Sequence, residues 1–340
     1  MNLRVLVGTT ARPWATCIDS PSTGGQSTAG RSINKLPNFI TSISVEGFDP
    51  VDVHLVHRKS SAKHAIPLVF VHGCGPGSFL EVTKLLPLLS DAEKDNGPAF
   101  HIVAPSLPNF GFSSVVKRPG FGMKQYAETC HKLMLALGYE QYGFLITRVM
   151  GQPYPSHLTA SHINMVVSPP PSWKSPFSFV TMLTRYMLGM YSAAEKAGLE
   201  AFQKNGMGYY AVYPVGLLAW MYEKLHGWTD NYDCLYWFST AGPAASVRIY
   251  YESQKGEFPA FGSKYVPGVK LGLAYFPKEI CRLPKTWGSG MGEVVCAREH
   301  DRGGHFAAWE LPGSIAGDLR IMFGKGGGAY GVVEGASGYD

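Results

Sequence analysis

Residues 67–79, Pro-Leu-Val-Phe-Val-His-Gly-Cys-Gly-Pro-Gly-Ser-Phe, contain the pattern that decides the fold of this 340-residue chain. The first five form a short apolar run rich in β-branched and aromatic residues, which is typical of a strand covered on both faces. A glycine-rich turn follows, and Phe79 to Leu89 then has the pattern of a helix. A strand, a tight turn and a helix in this order predict one unit of a parallel sheet.

Strands and helices continue to alternate before and after an aromatic-rich segment that begins at Pro169. His101 to Ala104 reads as a strand, and Phe121 to Leu137 as a helix that Gly138 ends. From Pro169 the sequence becomes rich in aromatic residues, which indicates an inserted cap. Further elements are predicted at Thr159–Val167, Val269–Tyr275 and Glu293–Ala297 (strands) and at Val215–Leu225, Tyr236–Glu252 and Pro312–Phe323 (helices).

The chain is therefore expected to be an α/β protein with one core in two parts. The extreme ends differ from this core, because the first 35 residues are rich in Ser, Thr, Gly and Arg, and the last 17 in Gly. The predicted segments are 1–35, disordered or a remnant of an N-terminal meander; 36–168, first part of the core; 169–262, helical cap; 263–323, second part of the core; and 324–340, a flexible tail.

Composition excludes several classes of function. The net charge of +5 is small for this length, and no dense Lys/Arg stripe is present, so nucleic acid is not an expected partner. Six scattered cysteines include no C-x-x-C pair, which argues against a disulfide scaffold and a metal site. No apolar run is long enough to span a membrane. We expect a cytoplasmic protein, with peripheral membrane association left open.

Two motifs could carry chemistry. The segment from His300 to Glu310 places His305 after a Gly-Gly pair, where an imidazole can be aimed at a buried site; the alternative is a core histidine bonded to backbone. The turn after the first strand can direct backbone N–H groups at a ligand, although it could be merely a tight turn. This turn consists of His72, Gly73, Cys74, Gly75, Pro76 and Gly77.

Together with Val215–Leu225, Tyr236–Glu252 and Phe276–Trp287, these two motifs closely resemble epoxide hydrolases of the microsomal type, especially the fungal members. The resemblance covers roughly Leu36 to Phe323. It implies an α/β-hydrolase core with a helical cap, and an enzyme that opens small apolar epoxides to vicinal diols without a cofactor or metal. In that reaction an aspartate forms an alkyl ester, and a histidine oriented by a carboxylate activates the water that hydrolyses the ester.

The resemblance also implies roles for individual residues. His305 matches the family's base, and Glu279 in Tyr-Phe-Pro-Lys-Glu matches the orienting acid, although a glutamate after a strand is more often a solvated loop residue. Tyr250 and Tyr209 match the tyrosines that hydrogen-bond the epoxide oxygen, with packing as the alternative for Tyr250. The turn from His72 to Gly77 would supply the oxyanion contacts, but Cys74-Gly75 stands where the family has one tryptophan.

The nucleophile has no counterpart. The family carries Gly-Gly-Asp-Trp-Gly before the segment that Phe144 to Arg148 resembles, whereas this chain has only the five residues from Tyr139 to Gly143. Since five extended residues span at most about 18 Å, a strand and its turn do not both fit, and we expect a central strand that is missing or distorted, with a helix from Phe144. Together with two further apparent losses, before Leu36 and after Tyr209, this gap suggests a faulty gene model or skipped exons.

Two hypotheses from different classes remain. The first is an epoxide hydrolase family member whose sequence is truncated internally, so that the complete product is active and this chain, without the nucleophilic aspartate, is not. The alternative is a non-catalytic pseudoenzyme that binds apolar ligands or partners on an α/β-hydrolase fold. Ester or haloalkane hydrolysis fares worse, because both reactions need the same missing turn.

Overall fold

The computed structural model describes residues 4–5, 33–73, 77–90, 96–145, 153–168, 170–171, 176–193, 195–197, 199, 245–253 and 265–340. Within these residues the strands form a single sheet. In chain order they are β1 (Arg4–Val5), β2 (Asn38–Ile43), β3 (Val51–Arg58), β4 (Ile66–Phe70), β5 (Phe100–Pro105), β6 (Tyr142–Leu145), β7 (Leu158–Ile163), β8 (Val266–Tyr275) and β9 (Gly292–Glu299).

The order of strands in the sheet is β1-β2-β3-β5-β4-β6-β7-β8-β9. The six strands from β5 to β9 in this order are parallel, and β1, β2 and β3 extend one side in antiparallel pairs. The α-helices are α1 (Leu86–Ser90), α2 (Met123–Ala136), α3 (Pro176–Met187), α4 (Arg248–Ser253), α5 (Ala307–Glu310) and α6 (Pro312–Phe323), with 3-10 turns at Phe79–Val82, Ala245–Val247 and Lys285–Met291. This is the α/β-hydrolase arrangement that the sequence predicts.

The predicted strand at Pro67–Val71 is β4, shifted by one residue. All five of its residues are buried, as expected for a parallel strand covered on both faces. Val69 packs in the core on one side of the sheet with α2, while Leu68 and Phe70 pack on the other side with α6. The predicted helix after the turn is shorter than expected, because a 3-10 turn precedes α1.

The central strand is present, and of the two predicted alternatives it is short and irregular and not missing. Tyr142–Leu145 forms β6, hydrogen-bonded to β4 on one side and to β7 on the other. The helix predicted from Phe144 is wrong, because Phe144 and Leu145 belong to this strand. The strand is only four residues long, and its register with β7 shifts between Tyr142 and Gly143. Residues 146–152, which follow it, lie outside the described residues.

The C-terminal segment 324–340 packs on the core, although its glycine content predicts a flexible tail. Ala329 and Val333 are buried in the cluster that also contains residues of α6. Gly338 donates its N–H to His64 O and accepts from Ala99 N–H, at 2.7 and 2.8 Å. These contacts fix the segment beside the amino ends of β4 and β5.

The described part of the cap is incomplete. Tyr209 and Val215–Leu225 lie outside the described residues, and of the predicted helix Tyr236–Glu252 only the part from residue 245 is described. Within the described residues, no helix combines the length and apolar character needed to cross a membrane. Three of the six cysteines are described, and each is a buried free thiol: Cys130, Cys281 and Cys296.

Gly272 on β8 gives a test of the packing between the sheet and α6. A Cβ there would lie 2.6 Å from Met322 Sδ and 2.8 Å from Cδ2 of the buried His162 ring. We expect Gly272→Ala to lower the free energy of unfolding by about 1–3 kcal/mol in urea titrations, since the ring must move. Gly317→Ala is the control, because a Cβ on that helical glycine meets nothing within 4 Å and should stabilise by about 0.5–1 kcal/mol. Equal effects would contradict this packing.

Candidate active site

Four residues at the carboxyl ends of the parallel strands come together. Gly73 follows β4, Asn164 follows β7 directly, Glu279 lies after β8, and His305 lies in the loop after β9. Crevices at this edge are where open α/β sheets bind ligands. The sheet therefore brings together residues that are more than 200 positions apart in sequence.

His305 and Glu279 form a buried pair. The distance from His305 Nδ1 to Glu279 Oε1 is 2.7 Å, and both residues are less than a tenth exposed. Because the carboxylate only accepts, Nδ1 carries the proton and donates it, which leaves Nε2 as the basic nitrogen. This is the geometry of an imidazole base oriented by a carboxylate, as the sequence predicts for these two residues.

Asn164 holds both members of the pair. Its Nδ2 donates to Glu279 Oε2 at 3.1 Å and to the carbonyl oxygen of His305 at 2.7 Å. The other carboxylate oxygen, Oε1, also accepts the backbone N–H of Ile280 at 2.8 Å. The carboxylate is thus bonded at both oxygens, so neither it nor the loop that carries His305 can rotate independently.

The charges around His305 favour its protonated form. Burial lowers the pKa of the imidazole, but the charge and hydrogen bond of Glu279, together with Glu81 and Glu310, outweigh that effect and raise the pKa above its usual value. Glu310 also accepts the N–H of Gly304 at 2.9 Å, so it fixes the backbone next to the base. An imidazolium formed by taking a proton from water is therefore stabilised here.

On the Nε2 side, His305 faces the turn after β4. A Cβ on Gly73 would lie 3.1 Å from Nε2, so the absence of a side chain there lets the base approach the backbone. A Cβ on Gly77 would lie 2.5 Å from Gly73 O and 2.6 Å from Glu81 Oε1, so Gly77 packs closely against both groups. Ser78 donates its N–H to the same oxygen at 3.0 Å.

His72, the first residue of the predicted oxyanion turn, has a structural role. Its Nε2 accepts the N–H of Leu107 at 3.2 Å, which requires the proton on Nδ1, and Nδ1 donates to Gly73 O at 2.8 Å. Burial lowers the pKa of His72 to about 4, so the ring is neutral at pH 7. The neutral ring thereby ties the end of β4 to the loop after β5.

Of the other predicted site residues, the structure describes Tyr250 but not Tyr209 or the middle of the turn. Tyr250 lies on α4, half-buried against the apolar core that contains Ile249 and Phe121. Tyr209 and the turn residues Cys74, Gly75 and Pro76 lie outside the described residues. Their roles in oxygen and oxyanion binding remain predictions.

Asn164, Glu81 and Glu310 are not among the residues predicted from the sequence. Ser78 and Glu81 have the spacing of a capping box, and the structure shows both of its hydrogen bonds, so this signal could have identified Glu81. A polar residue directly after a strand is a weaker signal for Asn164.

A cavity of about 650 Å³ lies beside Glu279. It is lined by Asn164 and Glu279 from the core, and by Arg185 on α3 and Tyr191 after it. The size is within the range of small-molecule sites. The partner of His305 therefore borders a space large enough for a ligand.

The fold and the histidine–carboxylate pair define an α/β hydrolase. A family model described as the epoxide hydrolase N terminus matches residues 27–82. A relative from Stigmatella aurantiaca that carries an epoxide hydrolase name is 32% identical, over 87% of this chain and 71% of its own length. Epoxide hydrolase 1 of Sus scrofa is 30% identical over 86% and 75%. The chain belongs to the epoxide hydrolase family, and its relatives support the microsomal type.

The solved structures agree. The epoxide hydrolase of Aspergillus niger matches with a TM-score of 0.64 at 28% identity, over 86% of this chain and 79% of that one. Juvenile hormone epoxide hydrolase of Bombyx mori has a TM-score of 0.70 at 24% identity, which shows the shared fold. Both results match the fold expected from the sequence.

Glu279→Gln tests the pair through the pH dependence of stability. Because the folded pKa of His305 is raised, the pair contributes stability that is fully present below the unfolded pKa and is lost as pH rises through the folded pKa. We expect the loss of unfolding free energy in this variant to be roughly 3 kcal/mol near pH 6 and clearly smaller near pH 9.

The measurement is urea unfolding at the two pH values. Glu293→Gln is the control, since Glu293 is half-exposed and pairs with Lys270 on the surface, where little effect is expected at either pH. An equal loss for Glu279→Gln at both pH values would show that no charged pair forms.

Proposed function

We propose that this chain retains the water-activating half of an epoxide hydrolase and lacks the half that forms the alkyl-enzyme ester. The observation that carries the proposal is the buried contact of 2.7 Å between His305 Nδ1 and Glu279 Oε1, in a chain without a nucleophilic carboxylate after β6. Between Gly138 and Ser168 the sequence has one acidic residue, Glu140.

Glu140 is not suited to replace the nucleophile. It is exposed and precedes β6, so it lies at the amino end of the strand, whereas His305 lies at the carboxyl ends. Its carbonyl oxygen accepts a hydrogen bond from His157 Nδ1 at 2.7 Å. Residues 146–152, which follow β6, contain no carboxylate in the sequence.

The complete reaction has two steps, and His305 and Glu279 serve the second. In the first, a carboxylate oxygen forms a bond to an epoxide carbon, the C–O bond of the ring breaks, and the released oxygen takes a proton from a phenol such as Tyr250. In the second, Nε2 of His305 takes a proton from water while the water oxygen attacks the ester carbonyl, and Glu279 stabilises the imidazolium. The acyl C–O bond of the ester then breaks, the diol oxygen takes a proton as it leaves, and the carboxylate is restored. Without an ester, this base has no substrate.

Binding of apolar ligands without turnover is the second candidate. The cavity of about 650 Å³ next to Glu279 supports it by its size, since that volume could hold a small epoxide or diol whether or not the nucleophile is present. Its lining combines Phe276 and Leu283 with charged side chains such as Arg282. In this case the protein would bind such compounds reversibly and release them unchanged.

Replacing the base provides a direct test. In a complete epoxide hydrolase, His305→Gln should let the alkyl ester accumulate, because its hydrolysis needs the base. In this chain we expect no added mass when the variant is incubated with styrene oxide and examined by intact-protein mass spectrometry. Peptide mapping identifies any adduct. An ester on a carboxylate of this chain would overturn the proposal.

Inserting Gly-Gly-Asp-Trp between Tyr142 and Gly143 is the positive control, because it restores the missing nucleophile. We expect the insertion to create diol formation at least roughly 10⁴-fold above that of the unmodified chain, since a lost covalent nucleophile typically costs that much. The same insertion with Asn in place of Asp is the control and should be inactive. Rapid diol formation by the unmodified chain would contradict the proposed function.

A further inference from the structure

Glu81 is a buried carboxyl that the proposed mechanism does not use. It lies in the 3-10 turn Phe79–Val82, it is 6% exposed, and its Oε1 accepts the N–H of Ser78 at 3.0 Å. A carboxyl so deeply buried needs compensating contacts. Those contacts come from the backbone of Ser78 and Gly73, and Gly73 also packs against His305.

Glu81 and His305 both lie close to Gly73. Gly73 lies against Nε2 of His305, and its carbonyl oxygen lies with Glu81 Oε1 around the position where a Gly77 Cβ would be, at 2.5 and 2.6 Å from that point. The side chain missing at Gly73 lets Nε2 approach, and the one missing at Gly77 makes room for the carboxyl. A side chain at either glycine would therefore disturb the packing of Gly73 between His305 and Glu81.

We propose that Glu81 is a second positioning carboxyl of the general base: it holds Gly73 against Nε2 of His305, and the charges of the two side chains depend on each other. The inference rests on the proposed role of His305 as a base. Glu279 would orient the ring through Nδ1, and Glu81 would control the proton on the opposite side.

The charge balance explains why such a residue is useful. Two ionised carboxylates beside one imidazole would keep it protonated, and a protonated ring cannot accept a proton from water. Burial raises the pKa of Glu81 to about 8, although His305 and the backbone of Ser78 and Gly73 act in the opposite direction. A neutral imidazole therefore favours the protonated carboxyl, and a charged imidazole favours the carboxylate.

The carboxyl groups that act on His305 come from three elements. Glu279 follows β8, Glu310 belongs to α5, and Glu81 lies in the 3-10 turn after β4; all three raise the pKa of the imidazole. Glu279 and Glu310 are each bonded to the site by direct contacts of 2.7 and 2.9 Å. The contribution of Glu81 can be separated from theirs by changing it alone.

The test is an NMR titration of the His305 imidazole in the full chain without substrate, comparing the unmodified protein with Glu81→Gln. We expect the midpoint to fall by on the order of 1 pH unit, because an anion near Nε2 is removed. Glu128→Gln is the control: Glu128 is equally buried, but it lies on α2 and is bonded to Glu46 N and Lys132 Nζ. It should leave the midpoint unchanged.

An unchanged His305 midpoint in folded Glu81→Gln would overturn the proposal. If that variant does not fold, the coupling is read in the opposite direction, since it must be reciprocal. The carboxyl ¹³C signal of Glu81 is then titrated in the unmodified chain and in His305→Gln, where its pKa should rise; no rise would also overturn the proposal. Neither measurement involves turnover, so its failure is distinct from failure of the proposed function.

Discussion

The hydrogen-bonded ladder through Tyr142–Leu145 joins the two halves of the sheet, and every part of the site depends on it. On one side it pairs with β4, which leads into the turn with Gly73, and on the other with β7, which leads into Asn164. If this strand were lost, two ladder edges would be left unpaired in the middle of the core. Leaving these buried backbone groups without hydrogen bonds would cost more free energy than ordering four residues between them. Tyr142–Leu145 therefore forms a strand.

The pairing of β6 with its neighbours also separates two parts of the candidate site. Asn164, Glu279 and His305 follow β7, β8 and β9, and the hydrogen bonds among them do not involve the residues after β6. The histidine–carboxylate pair therefore assembles without a contribution from that segment. In contrast, Phe144 and Leu145 belong to the strand β6, although their sequence resembles the helix that follows the nucleophile in the family. The same residues cannot form the strand and that helix at once.

Much of the fold could be predicted from the sequence, because buried parallel strands and their following helices have strong local patterns. The helix at Pro312–Phe323 has the predicted bounds. The central strand could not be predicted, since a short apolar run suits a strand or a helix and only its neighbours in the sheet decide between them. His305 and Glu279 were found through family motifs. Asn164 and Glu81 were not, because their importance depends on which loops meet in space.

The packing of residues 324–340 has a consequence for the order in which the core closes. Gly338 bonds to both His64 and Ala99, and Lys63 donates its N–H to Asp340, so partners more than 200 positions away in sequence secure the amino ends of β4 and β5. Bringing such distant residues together costs loop-closure entropy before the contacts return any free energy. This edge of the core should therefore close late in folding.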